Sequence, residues 1–238
     1  MTAANPVFVA LDTTEPDSAA ALARTLTGKV GGLKVGLEYF TANGPAGLSA
    51  IQDFGLPLFI DLKLHDIPNT VAAAMRSVTR LGVSITTLHA SGGAEMIRAA
   101  ADAATETAAK YNVIRPQVIA VTILTSLDQA AAEAVGFSGA VNDQVRRLAR
   151  LAQENGADGI VCSPLEIAAV RAECGPDFTL VVPGIRPAWS ETGDQKRFLT
   201  PAEARDTGAD VLVIGRPITT AADPAAAAAR ILDELGLS

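Results

Sequence analysis

Aromatic side chains are scarce in this chain: one tryptophan, two tyrosines and seven phenylalanines make up 4% of its 238 residues. Alanine, valine, leucine and isoleucine must therefore fill any core. Charge is also sparse, at 19% against 49% hydrophobic residues, a balance that excludes disorder and can bury a substantial interior. The charge present leans acidic, with a formal net of -7 and a pI near 4.9. That sign argues against generic binding to nucleic acid or to an anionic membrane. An anionic ligand would need a local basic pocket.

Cysteine is nearly absent. Cys162 and Cys174 fit no metal or redox spacing, which points to a reduced setting. No uninterrupted apolar segment approaches the ~20 residues of a membrane span. Met1-Thr2-Ala3-Ala4-Asn5-Pro6 lacks the charged start and apolar stretch of a signal peptide. A soluble, cytoplasmic protein is expected.

Short β-branched runs recur, each followed by a stretch rich in alanine. Strands are predicted over 7–11, 32–35, 58–62, 84–88, 117–121, 159–162, 179–182 and 211–214. Helices are predicted over 17–26, 45–54, 70–81, 94–109, 140–155, 164–173, 201–207 and 224–235. Ser163-Pro164-Leu165-Glu166 and Thr200-Pro201-Ala202-Glu203 read as capping boxes with proline at the first helical position. Strict alternation implies parallel strands with right-handed crossovers. About eight units in this length predict an α/β fold, a (β/α)8 TIM barrel forming one domain over residues 1–238. A doubly wound sheet would carry a glycine-rich turn after its first strand, and Leu11-Asp12-Thr13-Thr14 is not one.

In such a barrel the active site lies where the strands end. Polar residues gather there: Asp12, Lys34, Asp61, Lys63, His89, Thr125, Ser126 and Arg216. The densest group is Asp61-Leu62-Lys63-Leu64-His65-Asp66-Ile67-Pro68-Asn69-Thr70. In an extended chain Asp61 and Lys63 share one face and Leu62 and Leu64 the other. Charges are seldom buried unless paired. Two readings of the cluster stand: a structural ion pair on a rim, or a lysine held protonated by carboxylates and ready to donate. The placement of other polar residues on the same rim favours the second.

A second cluster lies near the end of the chain. Val211-Leu212-Val213-Ile214 runs into Gly215-Arg216-Pro217-Ile218-Thr219, a strand leading to a glycine and an arginine. Barrels often bind phosphate after strands seven and eight, using backbone N–H groups and a forked guanidinium. The long connection 184–199 adds Arg186, Gln195, Lys196 and Arg197, a basic concentration in an acidic protein, and suits a binding loop. Trp189 within it is read as packing only.

Together, Leu11-Asp12, Lys34-Val35-Gly36, the block 61–70, Val121-Thr122-Ile123-Leu124-Thr125-Ser126, Pro183-Gly184-Ile185-Arg186-Pro187, Gly193-Asp194-Gln195-Lys196-Arg197 and Gly215-Arg216-Pro217-Ile218-Thr219 resemble the orotidine 5'-phosphate decarboxylase family. The match runs nearly the whole chain in the expected order. The Asp-x-Lys-x-x-Asp core is shared with related sugar-phosphate enzymes, whereas the continuation Ile67-Pro68-Asn69-Thr70 is more specific.

The resemblance implies decarboxylation of orotidine 5'-phosphate (OMP) to UMP in pyrimidine biosynthesis, without metal or organic cofactor. It implies that Lys63 protonates C6 of the pyrimidine within an array of Lys34, Asp61, Lys63 and Asp66. Asp66 and Thr70 would reach the site of a second subunit in a homodimer, and Ile67 would contact the substrate. Asp12 and Lys34 would contact the ribose; Ser126, with Thr125 adjacent, the pyrimidine. Arg186, Gln195, Gly215 and Arg216 would hold the phosphate, and Pro183 would line the pocket. The rival readings are a Mg²⁺-dependent sugar-phosphate decarboxylase or synthase on the same barrel, and a non-catalytic nucleotide-binding barrel. His89 is read as ordering a rim loop, and the orientation of His65 is left open.

Overall fold

A computed structural model describes residues 5–190 and 198–237. Eight parallel strands close into a barrel in sequence order: β1 (Val7–Ala10), β2 (Gly32–Gly36), β3 (Leu58–Leu64), β4 (Ile85–His89), β5 (Gln117–Val121), β6 (Gly159–Val161), β7 (Thr179–Val182) and β8 (Val211–Ile214), with β1 pairing β8. The helices between them are α1 (Pro16–Leu26), α2 (Leu37–Asn43), α3 (Ser49–Gln52), α4 (Pro68–Thr79), α5 (Ala94–Tyr111), α6 (Gln129–Ala134), α7 (Val141–Glu154), α8 (Ile167–Cys174), α9 (Pro201–Thr207), α10 (Arg216–Thr219) and α11 (Pro224–Glu234). The chain is therefore the expected (β/α)8 barrel. Among the described residues no helix is long and apolar enough to cross a membrane.

Alternation along each strand divides the apolar residues into two cores. Phe8, Ala10, Phe59, Ile85, Ile119, Val181, Val211 and Val213 fill the barrel interior. Val9, Val35, Ile60, Leu88, Ala120, Ile160, Leu180, Leu212 and Ile214 face outward against the helices, whose alanines let backbones approach the sheet. Only two aromatic rings belong to the interior cluster. Phe8 meets Phe59 edge-on, with centroids 6.4 Å apart. Gly32 makes room for that pair, since a Cβ there would stand 2.3 Å from Phe8 Cε1 and 2.6 Å from the Pro57 carbonyl. Overpacking of this kind costs about 1–3 kcal/mol. Gly32→Ala is expected to lower the thermal unfolding midpoint by roughly 2–10 °C, given the size of the chain; an unchanged midpoint in calorimetry would contradict the packing account.

Helix starts follow the sequence signals. Proline opens α1, α4, α9 and α11. In the Thr200 box, Glu203 accepts the Thr200 N–H at 2.9 Å and Thr200 Oγ1 accepts the Glu203 N–H at 3.3 Å. Glu166 likewise accepts the Ser163 N–H at 2.7 Å, although the chain there makes a 3₁₀ turn (Pro164–Glu166) before α8.

Several segments depart from the sequence expectation, the single turn of α10 among them. The helix predicted over 45–54 is a 3₁₀ turn (Pro45–Leu48) followed by the single turn of α3, and α2 precedes it. Gly44, at φ 59°, ends α2, and Pro45 restarts the chain. α6 arises after 128 because the Asp128 side chain caps it, accepting from Ala131 N–H at 2.9 Å. β3 also continues two residues past its predicted end, to Leu64, and this extension shapes the site.

Candidate active site

The extension of β3 is irregular. Ile60 is in register with Thr86 of β4, and register resumes only at Leu64 and Leu88. Asp61, Leu62 and Lys63 thus stand against Thr87 alone. A bulge re-aims side chains and bends its strand. Lys63 accordingly has φ 52°, in the left-handed region, so the regular extended chain expected here is corrected at that residue. The shared face survives the distortion. Lys63 Nζ donates to Asp61 Oδ2 at 2.8 Å. Leu62 and Leu64 pack outward against the helix-facing core.

Asp61 is the hub of the cluster. Its Oδ2 also lies 3.6 Å from Lys34 Nζ on β2, and its Oδ1 accepts from the Thr87 hydroxyl at 2.9 Å. Burial alone would raise its pKa. The Lys34 and Lys63 charges, with hydrogen bonds from Lys63 and Thr87, outweigh that and hold the carboxyl below its ordinary value. The three charged side chains are 12–29% exposed, so they are partly desolvated while still opening to a cavity.

That cavity, about 290 Å³, sits at the C-terminal mouth of the barrel. Lys34, Asp61 and Lys63 line it together with Asp12, Thr125, Pro183, Arg186, Gly215 and Arg216. Its apolar lining includes Phe59, Val121, Ile123, Val161, Val181 and Val213. Asp12 follows β1, and Gly215 follows the neighbouring β8: a Cβ on Gly215 would lie 3.6 Å from Asp12 Oδ2. Omitting that Cβ leaves the Gly215 backbone open to a ligand. Arg186 is buried after β7 and Arg216 opens α10. The cavity lining therefore takes the Lys–Asp–Lys array from β2 and β3 and two arginines from beyond β7 and β8.

Not every predicted site residue lines this cavity. Asp66, Ile67 and Thr70 are exposed on the loop after β3 and the start of α4. Asp66 Oδ1 accepts the Ile67 N–H at 2.6 Å, and Asp66 makes no ion pair with Lys63 of the same chain. Ser126 is exposed beside the lining residue Thr125. Gln195, with Lys196 and Arg197, lies outside the described residues. Trp189 packs against the helix-facing core, with the Arg230 guanidinium 4.2 Å from its ring centroid.

Thr87 is the residue that sequence reasoning missed. Its parity with Ile85 and His89 places it on the inner face of β4, and a hydroxyl among apolar strand residues was the available signal. The His89 and His65 rings are 5.2 Å apart. Burial, then the neighbouring His65 and Lys63, lower the His89 pKa, with Asp61 opposing in part. Neither ring lines the cavity. Cys162 is fully buried, and burial pushes its thiol far above the ordinary range, so it is an apolar filler and no nucleophile. Among the described residues no group of three or more His, Cys, Asp or Glu side chains is placed to hold a metal ion.

Fold and rim together define a (β/α)8-barrel protein whose partly buried Lys–Asp–Lys array shares one rim cavity with two arginines. The chain belongs to the orotidine 5'-phosphate decarboxylase / HUMPS family, whose model matches residues 5–231. It is 73% identical over 233 residues to the orotidine 5'-phosphate decarboxylase of Paramagnetospirillum magneticum, covering 98% of this chain and 99% of that protein. The enzyme of the same name from Rhodospirillum rubrum is 53% identical over 232 residues, 97% of this chain and 94% of that one. Among solved structures, orotidine 5'-phosphate decarboxylase from Lactobacillus acidophilus superposes with a TM-score of 0.86 at 37% identity, covering 97% and 98% of the two chains.

Proposed function

We propose that this chain is a cytoplasmic lyase that decarboxylates OMP to UMP and CO₂, the last step of de novo pyrimidine synthesis, on one barrel domain spanning residues 1–238. The observation that carries the reading is the Lys63 ammonium, 2.8 Å from Asp61 and lining the same cavity as Arg186 and Arg216. The names of the relatives point the same way. In this reading the bond from C6 to the carboxylate carbon breaks, CO₂ leaves, and the electron pair remains at C6. Lys63 Nζ gives its proton to that carbon and regains one from solvent. The carbanion has no adjacent carbonyl to delocalise it, so fixed charge must stabilise it where it forms. Lys63 supplies that charge, and Asp61 with Lys34 holds it in place.

Arg186, Gly215, Arg216 and Gln195 bind the phosphate, and this remote grip holds the reacting end in position. Asp12 and Lys34 bind the ribose hydroxyls, Thr125 and Ser126 the pyrimidine, and Pro183 packs against it. Arg216→Ala is expected to reduce kcat/KM by about 100-fold or more, mostly through KM, because a charge-assisted fork to phosphate is lost. A variant with wild-type KM would contradict the assignment. UMP formation from OMP is the direct test of the function as a whole.

The functional unit in this reading is a homodimer in which Asp66, Ile67 and Thr70 complete the site of the other subunit. Their exposure on one chain, with Ile67 at 67%, is the support. Lys63→Ala and Asp66→Ala are each expected to be nearly inactive alone. Mixed and allowed to exchange subunits, they should recover about one quarter of wild-type activity, because half the dimers then carry one native site. No recovery despite demonstrated exchange would contradict the shared site.

A further inference from the structure

Thr87 is fully buried on the inner face of β4, opposite the three residues of the β3 bulge. A bulge interrupts the strand ladder and leaves backbone groups in need of other partners. The Thr87 hydroxyl serves one such backbone group and one carboxylate at once. Oγ1 accepts the Lys63 N–H at 2.9 Å and donates to Asp61 Oδ1 at 2.9 Å. One atom therefore joins the left-handed residue to the hub of the charge array.

We propose that Thr87 is a positioning residue for the decarboxylation site, its hydroxyl holding Lys63 in the left-handed conformation and fixing the rotation of the Asp61 carboxylate. The inference rests on the function proposed above. A lysine at φ 52° persists only where its surroundings enforce it, and the Thr87 acceptor is such an enforcement. Threonine is stiff at χ1 on a strand, so β4 itself sets where Oγ1 lies. The hydroxyl proton has one direction to take, because the Lys63 amide already occupies the accepting side. It goes to Oδ1 of Asp61, leaving Oδ2 to face both Lys34 and Lys63. That division of the carboxylate aims the Lys63 ammonium.

Valine has the shape of threonine without its hydrogen bonds, so Thr87→Val leaves the Lys63 amide and Asp61 Oδ1 each one partner short. Thr86 supplies the control. It is equally buried but lies between Ile85 and Thr87 on the opposite face, and among the described residues its hydroxyl has no hydrogen-bond partner.

The test compares wild type with Thr87→Val, Thr87→Ser and Thr86→Val. Thr87→Val is expected to lower kcat by about 10- to 100-fold, the scale of an ångström-sized misplacement. KM for OMP and Kd for UMP should change less than about twofold, since the phosphate end is untouched. Losing a donor also lets Asp61 take up a proton at higher pH, so the acid limb of the kcat profile moves upward. Thr87→Ser should return kcat to within about threefold, and Thr86→Val should leave it unchanged. In a crystal structure of Thr87→Val, the Lys63 backbone or the Asp61 carboxylate should depart from its present conformation. Wild-type kcat in Thr87→Val, or equal loss in the valine and serine variants, would overturn the proposal, as would unchanged geometry at both residues. A wild-type protein that makes no UMP would count against the function instead, and the crystal structure would then decide the positioning claim alone.

Discussion

Replacing Lys63 by alanine is expected to lower kcat for OMP by about ten-thousand-fold or more, while Kd for UMP stays within about tenfold. The side chain has two parts in the account, donating the proton to C6 and supplying positive charge where the carbanion forms. Neither part is needed to bind nucleotide, a task the proposed function gives to Arg186 and Arg216 in the cavity lining. Steady-state turnover and calorimetric titration with UMP read the two quantities separately. Lys63→Arg sharpens the result, because a guanidinium keeps the charge but does not release a proton in a protein. The account expects arginine to be nearly as poor as alanine. Turnover close to wild type in the arginine variant would show that charge alone suffices and remove the proton-donor role.

Asp61→Asn is expected to cost about a thousand-fold in kcat, although the replacement has the same shape. Asparagine cannot serve as anion to Lys34 and Lys63, whose ammoniums approach Asp61 Oδ2 at 3.6 and 2.8 Å. The two lysines would then face each other without an intervening charge, and Lys63 would turn away from C6. The same residue ties stability to pH. Its folded-state pKa lies below the unfolded carboxylate value of about 3.9, so the folded state binds its proton less readily than the unfolded state. Its contribution to stability is therefore complete above about pH 4 and is lost as pH falls through the folded-state value. Asp61→Asn should flatten the pH dependence of stability in that acidic window and leave its slope near neutrality unchanged. Acid-unfolding curves that superpose in shape would contradict the charge array as described.

Much of the barrel was legible because its signals are local. β-branched runs alternate with alanine-rich stretches, prolines and capping boxes open the helices, and the crossovers follow from handedness. The rim was legible for the same reason: Asp12, Lys34, Asp61 and Lys63 come at strand ends. What escaped depends on pairing across strands. Nothing in the residues 61–64 alone says that β3 gains a bulge against β4, or that Lys63 turns left-handed there. Thr87 could not be tied to Asp61 without that register, since the two are 26 residues apart. The short helices α2 and α6 escaped because a glycine, a proline or a single aspartate cap sets them, too little for periodicity to register. The histidine pair needed the barrel as well, because β3 and β4 must be neighbours before His65 and His89 can meet.

The most direct test of the central claim is UMP formation from OMP by the purified wild-type protein after exhaustive treatment with a chelator. The account predicts stoichiometric UMP and CO₂ at a rate the chelator does not change. Absence of UMP, or activity that the chelator abolishes and Mg²⁺ restores, would contradict it.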